Sequence, residues 1–167
     1  MTSRTRSVIA IPSLNDVQGE CPSCTSYIES MNPRYSRRYQ RTRESYQLDK
    51  DAAEKLKEYA DSYTVVVLFA DWCGDARKAV PVLSLLEEEV GFEVRALGGM
   101  EKPRKPSNKH WAVPPSPKEV DTFGITSSPT IIIFDDEGEE VGRIKTKPRM
   151  TPTIEEEIVT IIENNSE

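Results

Sequence analysis

The chain has 167 residues, 37% of them hydrophobic and 30% charged, with a formal net charge of −6. That is enough apolar material for one ordinary globular core plus an extension, with no need of disulfide or metal staples. Three cysteines exclude a disulfide framework, the acidic balance argues against general nucleic-acid affinity, and no apolar run is long enough to span a bilayer. The apolar stretch Val8 to Ile11 is cut by Pro12 and is too short for a secretory signal, so a soluble cytoplasmic protein is expected.

Residues 1–46 lack sustained periodicity. They carry Cys21-Pro22-Ser23-Cys24 and a run of Arg34, Arg37, Arg38, Arg41 and Arg43 interleaved with Tyr35, Tyr39 and Tyr46. This composition reads as an N-terminal extension ending at 46, with the patterned, acidic domain covering 47–167. Asp49 is a plausible cap for a helix along Ala52, Ala53, Leu56, Tyr59, Ala60 and Tyr63. The unbroken apolar run over 64–70 suits a central strand covered on both faces. Next, Ala76, Ala79, Val80, Leu83, Leu86 and Val90 line one side of a helix that stops at Gly91 and is interrupted by Pro81.

Phe92 to Leu97 reads as a second strand, and a strand, helix, strand series of this length implies a right-handed parallel crossover. The proline-rich loop from Gly98 to Pro117 therefore starts on the same sheet edge as Cys73, the usual place for a site in an open α/β sheet. It carries Lys102, Arg104, Lys105, Lys109, His110 and Trp111. A short helix over 118–123 precedes a hairpin of strands 130–134 and 140–145, turning around 136–138. A last helix starts near Thr153, with Glu156 at capping-box spacing, and buries Ile154, Ile158, Ile161 and Ile162.

Cys73 is the residue on which the chemistry turns. It stands where the first strand hands over to a helix, and unpaired N–H groups and aligned peptide dipoles at a helix N-terminus favour a thiolate over a thiol. Asp75 works against that charge, while Arg77 and Lys78 offset it. The bland alternative is a small residue kept for packing, since free cysteines are commonly buried and inert.

This order of elements, with Trp72-Cys73-Gly74 at the turn and Pro81 eight residues after the cysteine, resembles the thioredoxin family over roughly 48–165. The resemblance implies a thioredoxin fold of α/β class, a central mixed sheet flanked by helices. It also implies that Ser128-Pro129 is the family's cis-proline, which sits against the reactive thiol and offers backbone groups to an extended substrate. The Trp72-Cys73-Gly74-Asp75 variant, the long loop, and the ending Val141-Gly142-Arg143 with Pro148-Arg149 resemble a bacterial and archaeal subgroup. On the same resemblance, the family's second active-site cysteine falls on Ala76 and its buried aspartate on Val67.

The implied activity is thiol–disulfide exchange through the single thiol Cys73, supported by Trp72, Gly74, Asp75, Ser128 and Pro129, on protein or low-molecular-weight disulfides and with no cofactor or metal. Release requires an external thiol or the Cys21/Cys24 pair acting as resolving thiols. The pair also reads as a structural feature, or as half of a zinc site that Cys73 and His110 would complete. The alternative function is a redox-inactive binding module using the same groove. His110 reads as a solvated loop residue and Trp111 as the anchor of its loop. The arginine and tyrosine mixture over 34–46 admits stacking on RNA or single-stranded DNA, but a solvated face pairing with the acidic domain is preferred. Glu87-Glu88-Glu89 and Glu155-Glu156-Glu157 read as polar faces of amphipathic helices.

Overall fold

A computed structural model describes residues 11–165 of the chain. Its sheet has four strands, β1 (Thr64–Leu68), β2 (Glu93–Leu97), β3 (Thr130–Phe134) and β4 (Glu140–Lys145), in the order β2-β1-β3-β4. β1 and β2 are parallel, as the crossover requires, whereas β3 runs antiparallel to both β1 and β4. The helices are α1 (Cys24–Ser30), α2 (Pro33–Ser45), α3 (Lys50–Tyr59), α4 (Gly74–Val90), α5 (Glu119–Thr122) and α6 (Ile154–Asn165).

Alternation along β1 sorts two cores. Val65, Val67 and Phe69 face a cluster with α1, α2, α3, α4 and α6, while Val66, Leu68 and Ala70 face a smaller one closed by α5 and the loop after β2. All six side chains are fully buried, which accounts for the unbroken apolar run in the sequence. α4 runs through Pro81 and stops at Gly91, whose φ of 87° is a left-handed cap that glycine adopts at little cost. α3 is capped by Asp49, whose carboxylate accepts the Ala52 N–H at 2.9 Å, and it ends at Tyr59, short of the expected Tyr63. Among the described residues no helix is long and apolar enough to cross a membrane.

The segment before 47 departs most from the expectation drawn for it. Its described residues form two α-helices, α1 and α2, and both pack on α4. Tyr39 and Cys24 are fully buried, Ile28 nearly so, and all three share the core that holds Val67 and Leu83. Charge hid this inner face: Arg34, Arg37, Arg38 and Arg41 occupy the outside of α2, while Tyr35, Tyr39 and Tyr46 recur at helical spacing toward the core. The buried Tyr39 ring is not free to stack on bases.

Acidic runs expected to be solvated fasten this packing. Glu87 of α4 accepts the Cys24 and Thr25 N–H groups at 2.7 and 2.9 Å and the Thr25 hydroxyl at 2.7 Å, tying down the open end of α1. Burial raises the Glu87 carboxyl, and these hydrogen bonds partly offset the rise. Arg43 of α2 pairs with Glu88 and donates to Ser84 at 2.8 Å. In α6, buried Glu155 accepts from the Tyr46 hydroxyl and the Asp49 N–H, each at 2.9 Å. Buried Glu157 gathers the N–H groups of Arg149, Met150 and Thr151 at 2.7–3.1 Å. A buried carboxylate survives desolvation only with such partners, so these two glutamates are anchors and not a solvated face.

Candidate functional site

Cys73 is the N-cap of α4, half-buried at the C-terminal end of β1 and packed against both core clusters. No side chain caps the helix there, so the opening N–H groups of α4 stay available beside the sulfur. The thiol donates to the Ser128 carbonyl at 3.3 Å, and the Ser128–Pro129 peptide bond is cis, as the resemblance implied. Two further bonds fix that segment: the Ser128 hydroxyl accepts the Ala70 N–H at 2.9 Å, and the Pro129 carbonyl accepts the Thr146 N–H at 2.7 Å. Thr146 holds a φ of 70°, a costly conformation for a β-branched residue, at the point where β4 passes the proline.

Cys73 packs against the inner core cluster. Ala76 and Val67 are fully buried in the same cluster. Above it, Trp72 is 38% exposed, lies 6.4 Å from the Trp111 ring, and carries the Lys102 ammonium 5.7 Å from its own ring centroid. Trp111 is buried and anchors the loop as expected, while His110 is exposed. On the other flank a groove of ≈ 240 Å³ is lined by Asp75, Lys78, Thr146, Lys147 and Pro148, with Tyr46 at its wall.

A network that sequence reasoning missed holds the turn before Cys73. The Tyr27 hydroxyl donates to the Asp71 carboxylate at 2.7 Å, the Gly99 N–H reaches the same oxygen at 3.2 Å, and the buried Tyr39 hydroxyl donates to the Asp71 carbonyl at 2.9 Å. Burial first, then the bond to Asp71, pushes the Tyr27 phenol far above its ordinary value. Burial, with the Asp71 and Cys73 charges behind it, does the same for Tyr39. Both rings therefore remain neutral donors. The usable signals were the tyrosines on the inner face of the arginine-rich stretch and an aspartate abutting Trp72-Cys73.

The other two cysteines lie on opposite faces of the sheet, because the chain crosses the β2 edge between them: the Pro22 carbonyl accepts the Ala96 N–H at 2.9 Å. Cys21 donates to the Gln18 carbonyl at 3.0 Å, and all three thiols are free. Burial raises the Cys21 thiol, with Glu119 adding to the rise, and burial raises Cys24 much further. No three His, Cys, Asp or Glu side chains among the described residues are grouped to hold a metal, so the Cys21, Cys24, Cys73 and His110 set is not assembled.

A family model described as Thioredoxin matches residues 21–158. The chain belongs to the thioredoxin family. The match includes α1 and α2, in keeping with their place in the core. Among curated proteins it is similar to thioredoxin of Chlamydia caviae, 30% identical over 94 residues that span 56% of this chain and 78% of that one. Thioredoxin of Chlamydia muridarum is 33% identical over 84 residues, 50% of this chain and 69% of its own. In fold alone the thioredoxin-like chain is similar to a Pseudomonas aeruginosa protein of unknown function, with a TM-score of 0.66 and 14% identity, covering 86% of this chain and 93% of that one.

Proposed function

We propose that this protein is a thiol–disulfide oxidoreductase that works through one sulfur, Cys73, and is turned over by an external thiol. The observation that carries the reading is the placement of a half-buried cysteine at the α4 N-terminus, its thiol bonded to the carbonyl that precedes a cis-proline. In the first step the Cys73 thiolate, the form in which any thiol must exchange, attacks one sulfur of a protein or small disulfide. A Cys73 mixed disulfide forms and the other sulfur leaves as thiolate. In the second step an external thiolate attacks the substrate-derived sulfur of the mixed disulfide, making a new disulfide with it and returning Cys73 as thiolate. The backbone at Ser128 and the groove by Thr146 receive an extended substrate by strand-like pairing.

Ala76 in place of a second cysteine supports the one-sulfur scheme. The burial of Cys24 and the raised thiols of Cys21 and Cys24 speak against these two as the resolving partner. The test is disulfide reduction with a supplied monothiol. Wild type and Cys21→Ser/Cys24→Ala should turn over alike, and Cys73→Ser should not. Wild type inert with every reductant, together with undiminished partner binding by Cys73→Ser, would establish the binding-module reading instead.

A further inference from the structure

We propose that the loop over 98–117 makes the Cys73 site selective for disulfides that carry carboxylates; the inference rests on the exchange activity proposed above and specifies its substrate class. The base of the loop is fixed. The Met100 N–H bonds the Phe69 carbonyl at 3.1 Å, the Ala112 N–H bonds the Glu101 carbonyl at 2.8 Å, and the Glu101 N–H bonds the Ser116 hydroxyl at 2.9 Å. With Met100 and Trp111 buried at either end, residues 102–110 stand out as a rim.

That rim is positive in a chain whose net charge is −6. Lys102, Arg104, Lys105 and Lys109 are exposed against one acid, Glu101, and only Lys109 meets a carboxylate, Asp121 at 3.8 Å. Lys102, Arg104 and Lys105 make no ion pair among the described residues. Contact with the Trp72 ring holds the Lys102 ammonium beside the residue that precedes Cys73. The site's own acids do not outnumber its cations: Asp71 and Asp75 are matched by Lys78 and Lys147, which line the same groove as Asp75. A rim of one sign beside a reactive group raises the local concentration of oppositely charged substrate, and salt weakens it.

The test uses two readouts, one of which needs no turnover. The first is the ratio of Cys73 alkylation rates with iodoacetate, an anion, and iodoacetamide, its neutral counterpart. It should fall about fivefold in Lys102→Glu/Arg104→Glu/Lys105→Glu, and the wild-type ratio should fall in the same direction in about 1 M salt. An unchanged ratio in both conditions overturns the proposal. The second is kcat/KM for oxidised glutathione and cystamine, and for peptide disulfides flanked by glutamate or by lysine. Acidic members should lead their basic counterparts by about tenfold at low salt. A lead confined to the peptides assigns the site to acidic proteins, and one confined to the small pair assigns it to small anionic thiols. Equal rates across both pairs overturn the proposal. If nothing turns over, the exchange reading fails, while the alkylation ratio still decides whether the rim selects for anions.

Discussion

Gly98 is the glycine with the least room for a side chain. A Cβ built there lies 2.1 Å from the Tyr27 hydroxyl oxygen, 2.3 Å from its Cζ and 2.9 Å from the Asp71 carboxylate. Ordinary carbon contacts sit at about 3.5–4.0 Å, so Gly98→Ala must drive the Tyr27 ring back by more than ~1 Å. That displacement breaks the 2.7 Å bond to Asp71 and disturbs the edge-to-face contact with Phe69, whose ring centroid is 5.1 Å away. Overpacking costs about 1–3 kcal/mol and a lost hydrogen bond to a charged group about 1.5–3 kcal/mol, so the expected loss is about 2.5–6 kcal/mol. Urea unfolding followed by circular dichroism measures it, and Tyr27→Ala supplies the control. In that background the same substitution should cost less than about 1 kcal/mol, because the clash is gone. Gly98→Ala within about 0.5 kcal/mol of wild type, or with one cost in both backgrounds, would refute the latch between α1 and the Cys73 turn.

Ser128→Ala removes the acceptor of the buried Ala70 N–H and should destabilise by about 1–2 kcal/mol in urea while changing the Cys73 alkylation rate. Glu157→Gln should cost about 1–3 kcal/mol and speed amide exchange at Arg149, Met150 and Thr151, whereas exposed Glu137→Gln should stay within about 0.5 kcal/mol of wild type. Alkaline stability should fall through Cys24. Its folded thiol ionises well above the ordinary value of 9.0, so the folded state holds a proton that the unfolded state loses first. Stability from this group is complete below pH 9.0 and declines above it by up to about 1.4 kcal/mol per pH unit, a slope that Cys24→Ala should remove from thermal melts.

The elements from Asp49 to the last helix are legible in the sequence because each buries one face, and burying one face leaves a period. β1 announces itself by Val65 to Ala70, α4 by its spacing and its stop at Gly91, and the hairpin by its turn. Cys73 is legible for a local reason, since the strand-to-helix turn and the Trp72-Cys73-Gly74 run lie within a few residues. The latch on Asp71 is not, because Tyr27 and Tyr39 stand 44 and 32 residues away and no period links them. α1 and α2 were obscured because α1 is short and α2 sets its tyrosines among five arginines, so composition masked the buried face. Glu87, Glu155 and Glu157 look like solvated neighbours in sequence, and only the orphan N–H groups brought to them by folding show otherwise.

The central claim is that Cys73 is the sulfur that exchanges, and peptide mapping after brief treatment with oxidised glutathione tests it most directly. The account predicts a glutathionyl group on the Cys73 peptide that a supplied monothiol removes, with Cys24 unmodified in the folded protein. An adduct on Cys21 or Cys24 with Cys73 untouched, or no adduct on any of the three, would contradict it.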